Sequence, residues 1–114
     1  MNKREIGKIK EELSIDYLKK NGYEILNRNY FTRYGEIDII AKDDETLCFI
    51  EVKYRSTNLY GLGVEAVNSK KQQKIKIVSK YYLTEFNISD NTNVRYDIIS
   101  IDNDIITLYK GAFI

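Results

Sequence analysis

Apolar residues recur at the spacing of a helix face in two segments of the chain. The first segment predicts a helix over residues 3–20, which ends at Asn21-Gly22. The second segment predicts a helix over residues 65–86. The positions expected to face the core are Ile6, Ile9, Leu13 and Tyr17 in the first helix and Ile75, Val78, Tyr82 and Phe86 in the second.

Shorter apolar runs bounded by polar turns predict strands. The predicted strands cover residues 23–26, 36–41, 47–55, 94–101 and 105–109. The polar residues 42–46 would join the second and third strands in a β-hairpin, and residues 56–64 would form a loop. The order α-β-β-β-α-β-β predicts an α/β fold, a three-layer α/β/α sandwich around a central mixed five-stranded sheet. The fourth strand is expected to run parallel to the third through a right-handed crossover.

The composition is typical of a globular protein. The chain has 114 residues, of which 43% are hydrophobic and 31% charged, so we expect a single domain over residues 1–114. No apolar run approaches the ~20 residues that span a bilayer, and the start of the chain lacks the pattern of a signal peptide. The lone Cys48 lies in an apolar strand, which favours a core thiol. A cytoplasmic protein without a membrane partner is expected.

Histidine is absent from the sequence. This excludes nucleophilic catalysis by a Ser-His or Cys-His pair, and it excludes the commonest zinc sites. Any metal ion would be bound by oxygen atoms, which favours Mg²⁺ or Mn²⁺.

Charge is distributed unevenly although the net charge is only +1. Residues 36–51 carry one basic and six acidic side chains, whereas residues 52–80 carry seven basic and one acidic. An acidic centre beside a basic segment suits a metal site within a phosphate-binding surface. Solvated helix faces would give the same distribution, and charge alone favours that interpretation.

Three ionisable residues interrupt two strands that are otherwise apolar. They are Asp38, Glu51 and Lys53. Burial of a carboxylate is costly unless a partner or a metal ion compensates its charge. A hairpin that turns at Asp43-Asp44 would place Asp38 and Glu51 as diagonal neighbours on one face, ~7–8 Å apart at the backbone. A register shifted by two residues would place them directly opposite each other, whereas a shift of one residue would separate them. Lys53 would share the face of Glu51.

This pattern resembles the PD-(D/E)xK nuclease superfamily, in which an Asp on one strand and Glu-x-Lys on the next form a metal site. Over essentially its whole length the chain also resembles the bacterial YraN-like family, to which an endonuclease-like fold similar to that of archaeal Holliday-junction resolvases has been assigned. The matching residues are Gly7, Glu11, Tyr17-Leu18, Gly22-Tyr23, Ile25-Leu26, Arg28-Asn29, Gly35-Glu36-Ile37-Asp38, Glu51-Val52-Lys53, Arg55, Gly61, Glu65-Ala66-Val67, Lys71, Arg95-Tyr96-Asp97 and Ala112-Phe113.

The resemblance implies a role for each residue of the site. Asp38 and Glu51 would bind the metal ion together with the backbone carbonyl of Val52, and Lys53 would be the catalytic lysine. Glu11 matches a helix glutamate that completes the acidic cluster in the resolvases, although an exposed acid on a lysine-rich helix is an equal alternative. Glu36 would support the ligands or bind a second metal ion. Lys71, together with Gln72 or Gln73, would contact the scissile phosphate.

We therefore expect a Mg²⁺- or Mn²⁺-dependent endonuclease that hydrolyses phosphodiester bonds in nucleic acid, in particular structured DNA. Junction cleavage would require a homodimer. The residues expected to contact nucleic acid are Arg28, Arg33, Arg55, Lys70, Lys71, Gln72 and Lys74. Those expected to stack on bases, with core packing as the alternative, are Tyr30, Phe31, Tyr34, Tyr54 and Tyr60. The first alternative function is a nucleic-acid-binding module with little catalysis that acts with a partner enzyme, and the second is a protein-interaction domain.

Overall fold

The computed structural model describes residues 2–55, with only the backbone of Arg55, and residues 67–114. These residues form α1 (Lys3–Lys20), β1 (Tyr23–Thr32), β2 (Gly35–Asp43), β3 (Thr46–Arg55), α2 (Ser69–Glu85), β4 (Asn93–Asp102) and β5 (Ile105–Phe113). The strands lie side by side in sequence order in one sheet. Only β3 and β4 pair in parallel, which confirms the predicted element order and the mixed sheet.

Asparagine side chains begin both helices. The side chain of Asn2 accepts a hydrogen bond from the backbone of Glu5, and that of Asn68 accepts one from the backbone of Lys71. Because Asn68 is the cap, α2 begins at Ser69 and not at residue 65 as predicted. The predicted loop 56–64 lies outside the described residues. Neither described helix is both long and apolar enough to cross a bilayer.

The first strand continues six residues beyond its predicted end at residue 26. Residues 27–32 are mostly polar and lack the apolar alternation of a strand, yet they pair with β2 as far as Thr32. β1 is an edge strand, so its polar side chains can reach solvent while its backbone pairs on one side. The extension brings the end of β1 next to the proposed acidic residues of β2.

Alternate residues of β3 pack into two separate apolar clusters. Cys48 and Ile50 lie with Ile15 and Leu18 of α1. Leu47 and Phe49 lie with the second cluster, to which α2 contributes Ile75, Val78 and Tyr82. Cys48 is a buried free thiol, as predicted. The two helices thus cover the central strand through different sets of side chains.

The face of α1 that packs on the sheet differs from the prediction. Ile9 and Leu13 are exposed, at 44% and 41% of their surface, whereas Ser14, Ile15 and Leu18 are buried. Ser14 fits in this interface because its hydroxyl donates to the carbonyl oxygen of Lys10 at 2.9 Å, which satisfies a buried polar group within the helix. This rotation of the helix turns Glu11, which precedes Ser14 by one turn, toward the sheet.

Candidate metal and phosphate site

The β2–β3 hairpin adopts the register that is shifted by two residues from the first prediction. Asp43 pairs with Thr46, so the turn lies at Asp44-Glu45 and Asp44 takes a left-handed φ of 55°. The last pair of the ladder is Ile39 with Ile50. The predicted pairing of Asp38 with Phe49 is therefore wrong. Asp38 is the residue next to Ile39 and Glu51 the residue next to Ile50, so the two acids lie just beyond the end of the ladder on opposing strands. Because the shift is an even number of residues, the two acids still converge.

The carboxylate of Asp38 lies between the two strands at the point where they separate. Its Oδ2 accepts a hydrogen bond from the backbone N–H of Val52 at 2.9 Å, so it replaces a backbone acceptor of the ladder. Ile37 and Ile39 pack into different clusters although they are two residues apart in β2. The alternation of faces is therefore interrupted at Asp38, which leaves its side chain near the plane of the sheet.

Asn29 positions Glu11 beside this carboxylate. It lies between the paired positions Arg28–Ile39 and Tyr30–Ile37 and has a φ of 51°. Its Nδ2 donates to Oε1 of Glu11 at 2.8 Å. Sequence reasoning gave Asn29 no role in the site. The available signal was the asparagine itself, since Asn tolerates positive φ better than most residues do.

An open cavity of about 560 Å³ lies between α1 and the ends of β1, β2 and β3. Its acidic lining residues are Glu11, Glu36 and Asp38, and its basic ones are Arg4, Lys8 and Arg28. Val52 also lines the cavity, which places the predicted carbonyl ligand near the carboxylates. Four of the five predicted acidic or carbonyl positions thus border one space, and the fifth, Glu51, contacts Asp38.

Two lysines flank Glu51, whose side chain is 7% exposed. The ammonium of Lys53 lies 3.7 Å from Oε1 of Glu51, and the ammonium of Lys71 lies 3.5 Å from the same oxygen. The predicted shared face of Glu51 and Lys53 is therefore present. Lys71, predicted to contact the scissile phosphate, reaches the site from the first turn of α2 and pairs with Glu51.

Burial raises the pKa of four carboxyls in this site. Burial is the largest cause for Glu11, Glu36 and Asp38, and neighbouring acids add to it for the two glutamates. Burial, followed by the charge of Asp38, raises the pKa of Glu51 to about 7, against the opposing effect of Lys71 and Lys53. Burial makes the ionised forms of these four carboxyls costly, and a bound cation would offset that cost.

Replacement of Glu51 by Gln is expected to increase the free energy of unfolding at pH 8 by about 2 kcal/mol and to change it little at pH 5. The folded protein holds the Glu51 proton more tightly than the unfolded chain does, because the folded pKa is raised from 4.5 to about 7. Stability is therefore lost as pH rises through this window, and Gln has no proton to lose. Urea unfolding at both pH values, without metal ions, measures the difference.

Glu24→Gln is the matched control for this prediction, since Glu24 is exposed on β1. It should leave the free energy of unfolding nearly unchanged at both pH values. Equal effects of Glu51→Gln at pH 5 and pH 8 would show that burial of the Glu51 charge does not destabilise the fold.

The residues predicted to contact nucleic acid differ in their surroundings. Arg28 forms ion pairs with Glu12 and, at 3.9 Å, with Glu11, so its charge is already engaged. Lys70 and Lys74 are exposed on α2, whereas Gln72 donates to the carbonyl oxygen of Val67 at 3.1 Å. The predictions for the Arg55 side chain and for Tyr60 lie outside the described residues. Within residues 2–55 and 67–114, no three acidic or cysteine side chains are arranged to hold a metal ion by themselves.

Comparison with known proteins gives a consistent family. The model of the uncharacterised protein family UPF0102 matches residues 10–101. A UPF0102 protein of Caldicellulosiruptor bescii is 44% identical over 99% of the chain and 100% of the relative's length. One from Alkaliphilus oremlandii is 51% identical over 89% of the chain and 86% of its own length. One from Fusobacterium nucleatum is 45% identical over 97% of the chain and 92% of its own length. These names state no activity.

Proposed function

The chain belongs to the uncharacterised protein family UPF0102, and from the geometry of its acidic site we propose that it is a metal-dependent endonuclease acting on nucleic acid, in particular structured DNA. One observation carries the proposal. The carboxylate of Asp38 is held between two strands by the backbone of Val52, next to Glu51 and its two lysines. Such a set of groups can bind a divalent cation and a phosphate side by side.

The proposal includes a three-layer, restriction-endonuclease-like arrangement of the PD-(D/E)xK type. Its support is that α1 and α2 pack on alternate residues of β3, as expected for helices on opposite faces of one sheet. In this arrangement the site lies where β2 and β3 separate. The acids are then fixed by the sheet and remain open to a substrate on one side.

The donor set suits Mg²⁺ or Mn²⁺. Asp38, Glu51, the Val52 carbonyl and Glu11 offer only oxygen atoms, and the raised pKa of the three carboxyls reflects mainly the cost of burying their charge, which a cation would offset. A divalent ion bound there would polarise the phosphate and lower the pKa of an attacking water. Glu36 would add negative charge from the cavity wall.

The chain's own residues have separate tasks in this proposal. Val52 N–H and Asn29 hold Asp38 and Glu11 in fixed positions. The ammonium of Lys53 would orient the attacking water or stabilise charge that develops on the phosphate. Lys71 would leave Glu51 for the substrate phosphate, a charge-assisted contact at the first turn of α2. Arg4 and Lys8 on the cavity wall would contact the backbone, which carries no sequence information.

Purified protein incubated with junction, flap and single-stranded DNA in Mg²⁺ or Mn²⁺ tests the proposal. Cleavage of at least one substrate that stops on addition of EDTA is the expected result. The absence of three converging acids among the described residues favours the alternative of a binding module with little catalysis. Salt-sensitive binding of every substrate without cleavage of any would establish that alternative.

Mg²⁺ or Mn²⁺ is expected to stabilise the wild-type protein and not the Asp38→Asn variant. A ligand that binds only the folded state at a hundred times its Kd adds about 2.7 kcal/mol to the free energy of unfolding. Thermal unfolding across a titration of each metal ion measures this effect, with Ca²⁺ as a further probe. Equal stabilisation of wild type and variant would mean that the ions bind elsewhere.

A further inference from the structure

Three planar side chains form an exposed column on the surface at the β1–β2 turn. The guanidinium carbon of Arg33 lies 4.9 Å from the ring centroid of Tyr34. The ring of Tyr81, on α2, stacks on Tyr34 with centroids 5.5 Å apart and planes 29° from parallel. An Arg33 Nη2 donor also reaches the Tyr34 hydroxyl at 2.7 Å, which fixes the arginine against the ring.

The column serves neither the core nor the acidic cavity. Tyr34 and Tyr81 remain 40% and 45% exposed and belong to neither apolar cluster. None of its three side chains lines the cavity that holds Asp38. The Arg33 guanidinium reaches the hydroxyls of both Tyr34 and Tyr81, so it lies along one edge of the stacked pair. Both rings keep exposed surface on which another planar group can stack.

The surroundings of the column are positively charged. Residues 69–85 of α2 carry five lysines and a single acid, Glu85. Lys70, Lys74 and Ile77 precede Tyr81 at helical spacing and lie exposed on the same face of the helix. Lys71, at the start of this helix, contacts Glu51. Tyr81 follows Lys71 by ten positions in the helix, or about 15 Å along its axis.

We propose that the Arg33–Tyr34–Tyr81 column binds the bases of a single-stranded nucleic-acid segment, whose phosphates follow the lysines of α2 toward the acidic site. Aromatic rings and guanidinium planes stack on any base, and a basic groove follows the backbone without reading sequence. The inference rests on the proposed function and deepens it: the substrate class is branched DNA with a single-stranded arm, rather than continuous duplex. Bases inside a duplex are stacked on both faces and cannot continue the column.

Comparison of two DNA probes, one with a base-bearing arm and one with an abasic arm, distinguishes base stacking from electrostatic attraction. Fluorescence anisotropy in EDTA at constant salt would compare a labelled duplex with a single-stranded arm of about ten nucleotides and the same duplex with an abasic arm. Both probes carry the same phosphates. We expect wild-type protein to bind the base-bearing arm about tenfold more tightly than the abasic arm. The double variant Tyr34→Ala/Tyr81→Ala should bind both arms alike.

Tyr81→Phe is the matched control, because it keeps the ring and should retain the preference for bases. Lys74→Ala should weaken binding of both arms by the same factor. Thermal unfolding verifies that each variant is folded. Equal affinity of the wild type for the two arms would overturn the inference, and so would a preference that survives in the double variant. Binding is measured in EDTA, where no cleavage can occur, and cleavage is measured separately in Mg²⁺. A preference for the base-bearing arm without cleavage in Mg²⁺ would contradict the proposed nuclease activity but would retain the column as a binding site.

Discussion

The Asp38→Asn variant is expected to lose metal-dependent cleavage by at least about 10³-fold and to retain nucleic-acid binding. Asn keeps an oxygen that can accept the hydrogen bond from Val52 N–H, so the local backbone should be preserved. It removes the negative charge that would attract the cation. Glu51 alone, already paired with Lys53 and Lys71, would be a weak ligand in its place.

Single-turnover cleavage of the best substrate in Mg²⁺ measures the cleavage rate, and binding in EDTA measures the affinity separately. Asp16→Asn is the control, since Asp16 is exposed on α1 and should cut like wild type. Cleavage by Asp38→Asn within a factor of ten of wild type would place the chemistry elsewhere. A loss of cleavage that follows equally weakened binding would also contradict the metal-ligand role.

The approach of Asp38 to Glu51 could be predicted in part, because a shift of the hairpin by two residues still leaves the two acids at neighbouring positions of opposing strands. The interruption of the alternating faces at Asp38 had no signal in the sequence. The position of the turn was predicted incorrectly, at Asp43-Asp44 rather than Asp44-Glu45. Adjacent Asp, Asp and Glu residues all suit a turn, and local sequence did not distinguish them.

The orientation of α1 could not be read from its apolar spacing. Ile9 and Leu13 continue a regular stripe, yet the helix packs through Ser14, Ile15 and Leu18. A small serine whose hydroxyl bonds within its own helix substitutes for an apolar residue at this interface. Which face is buried depends on the shape of the sheet beneath it, and this shape results from contacts that are distant in sequence.

The interactions of the charged residues were also beyond local reasoning. Arg28 was predicted to contact a nucleic-acid backbone, and it contacts Glu11 and Glu12 on α1, more than a dozen residues earlier in the chain. The Arg95-Tyr96-Asp97 segment was noticed only as part of a family resemblance. Its structural role depends on partners in β1, β2 and β5, which no spacing along β4 reveals.

Asp97, which is fully buried in β4, is the centre of a network of hydrogen bonds. Its Oδ1 accepts from Arg95 Nε at 2.8 Å and from the backbone of Gly111 at 2.9 Å. Its Oδ2 accepts from the Tyr23 hydroxyl at 3.0 Å and from Arg95 Nη2 at 2.9 Å. Arg95 also pairs with Asp43 at 2.8 Å. One carboxylate thus links β1, β4 and β5, and through Arg95 it reaches β2.

Replacement of Asp97 by Ala is therefore expected to lower the free energy of unfolding by about 3–5 kcal/mol, because the buried Tyr23 hydroxyl, the partly buried Arg95 guanidinium and the Gly111 N–H all lose their acceptor. For a chain of this length the melting temperature should fall by roughly 10–25 °C. Urea unfolding at neutral pH measures the free energy, and calorimetry measures the melting temperature. This loss of stability should exceed that from any substitution of a carboxylate in the acidic site, where Glu51→Gln is expected to stabilise the protein.

Asp16→Ala is the control for the same chemical change at an exposed helix position and should shift stability by no more than about 0.5 kcal/mol. The double variant Asp97→Ala/Arg95→Ala separates the two contributions to the loss. If the cost comes mainly from the partly buried guanidinium, which keeps only Asp43 after the loss of Asp97, removal of Arg95 as well should restore part of the stability. A single Asp97→Ala variant within about 1 kcal/mol of wild type would mean that water replaces the carboxylate and that this network does not stabilise the sheet.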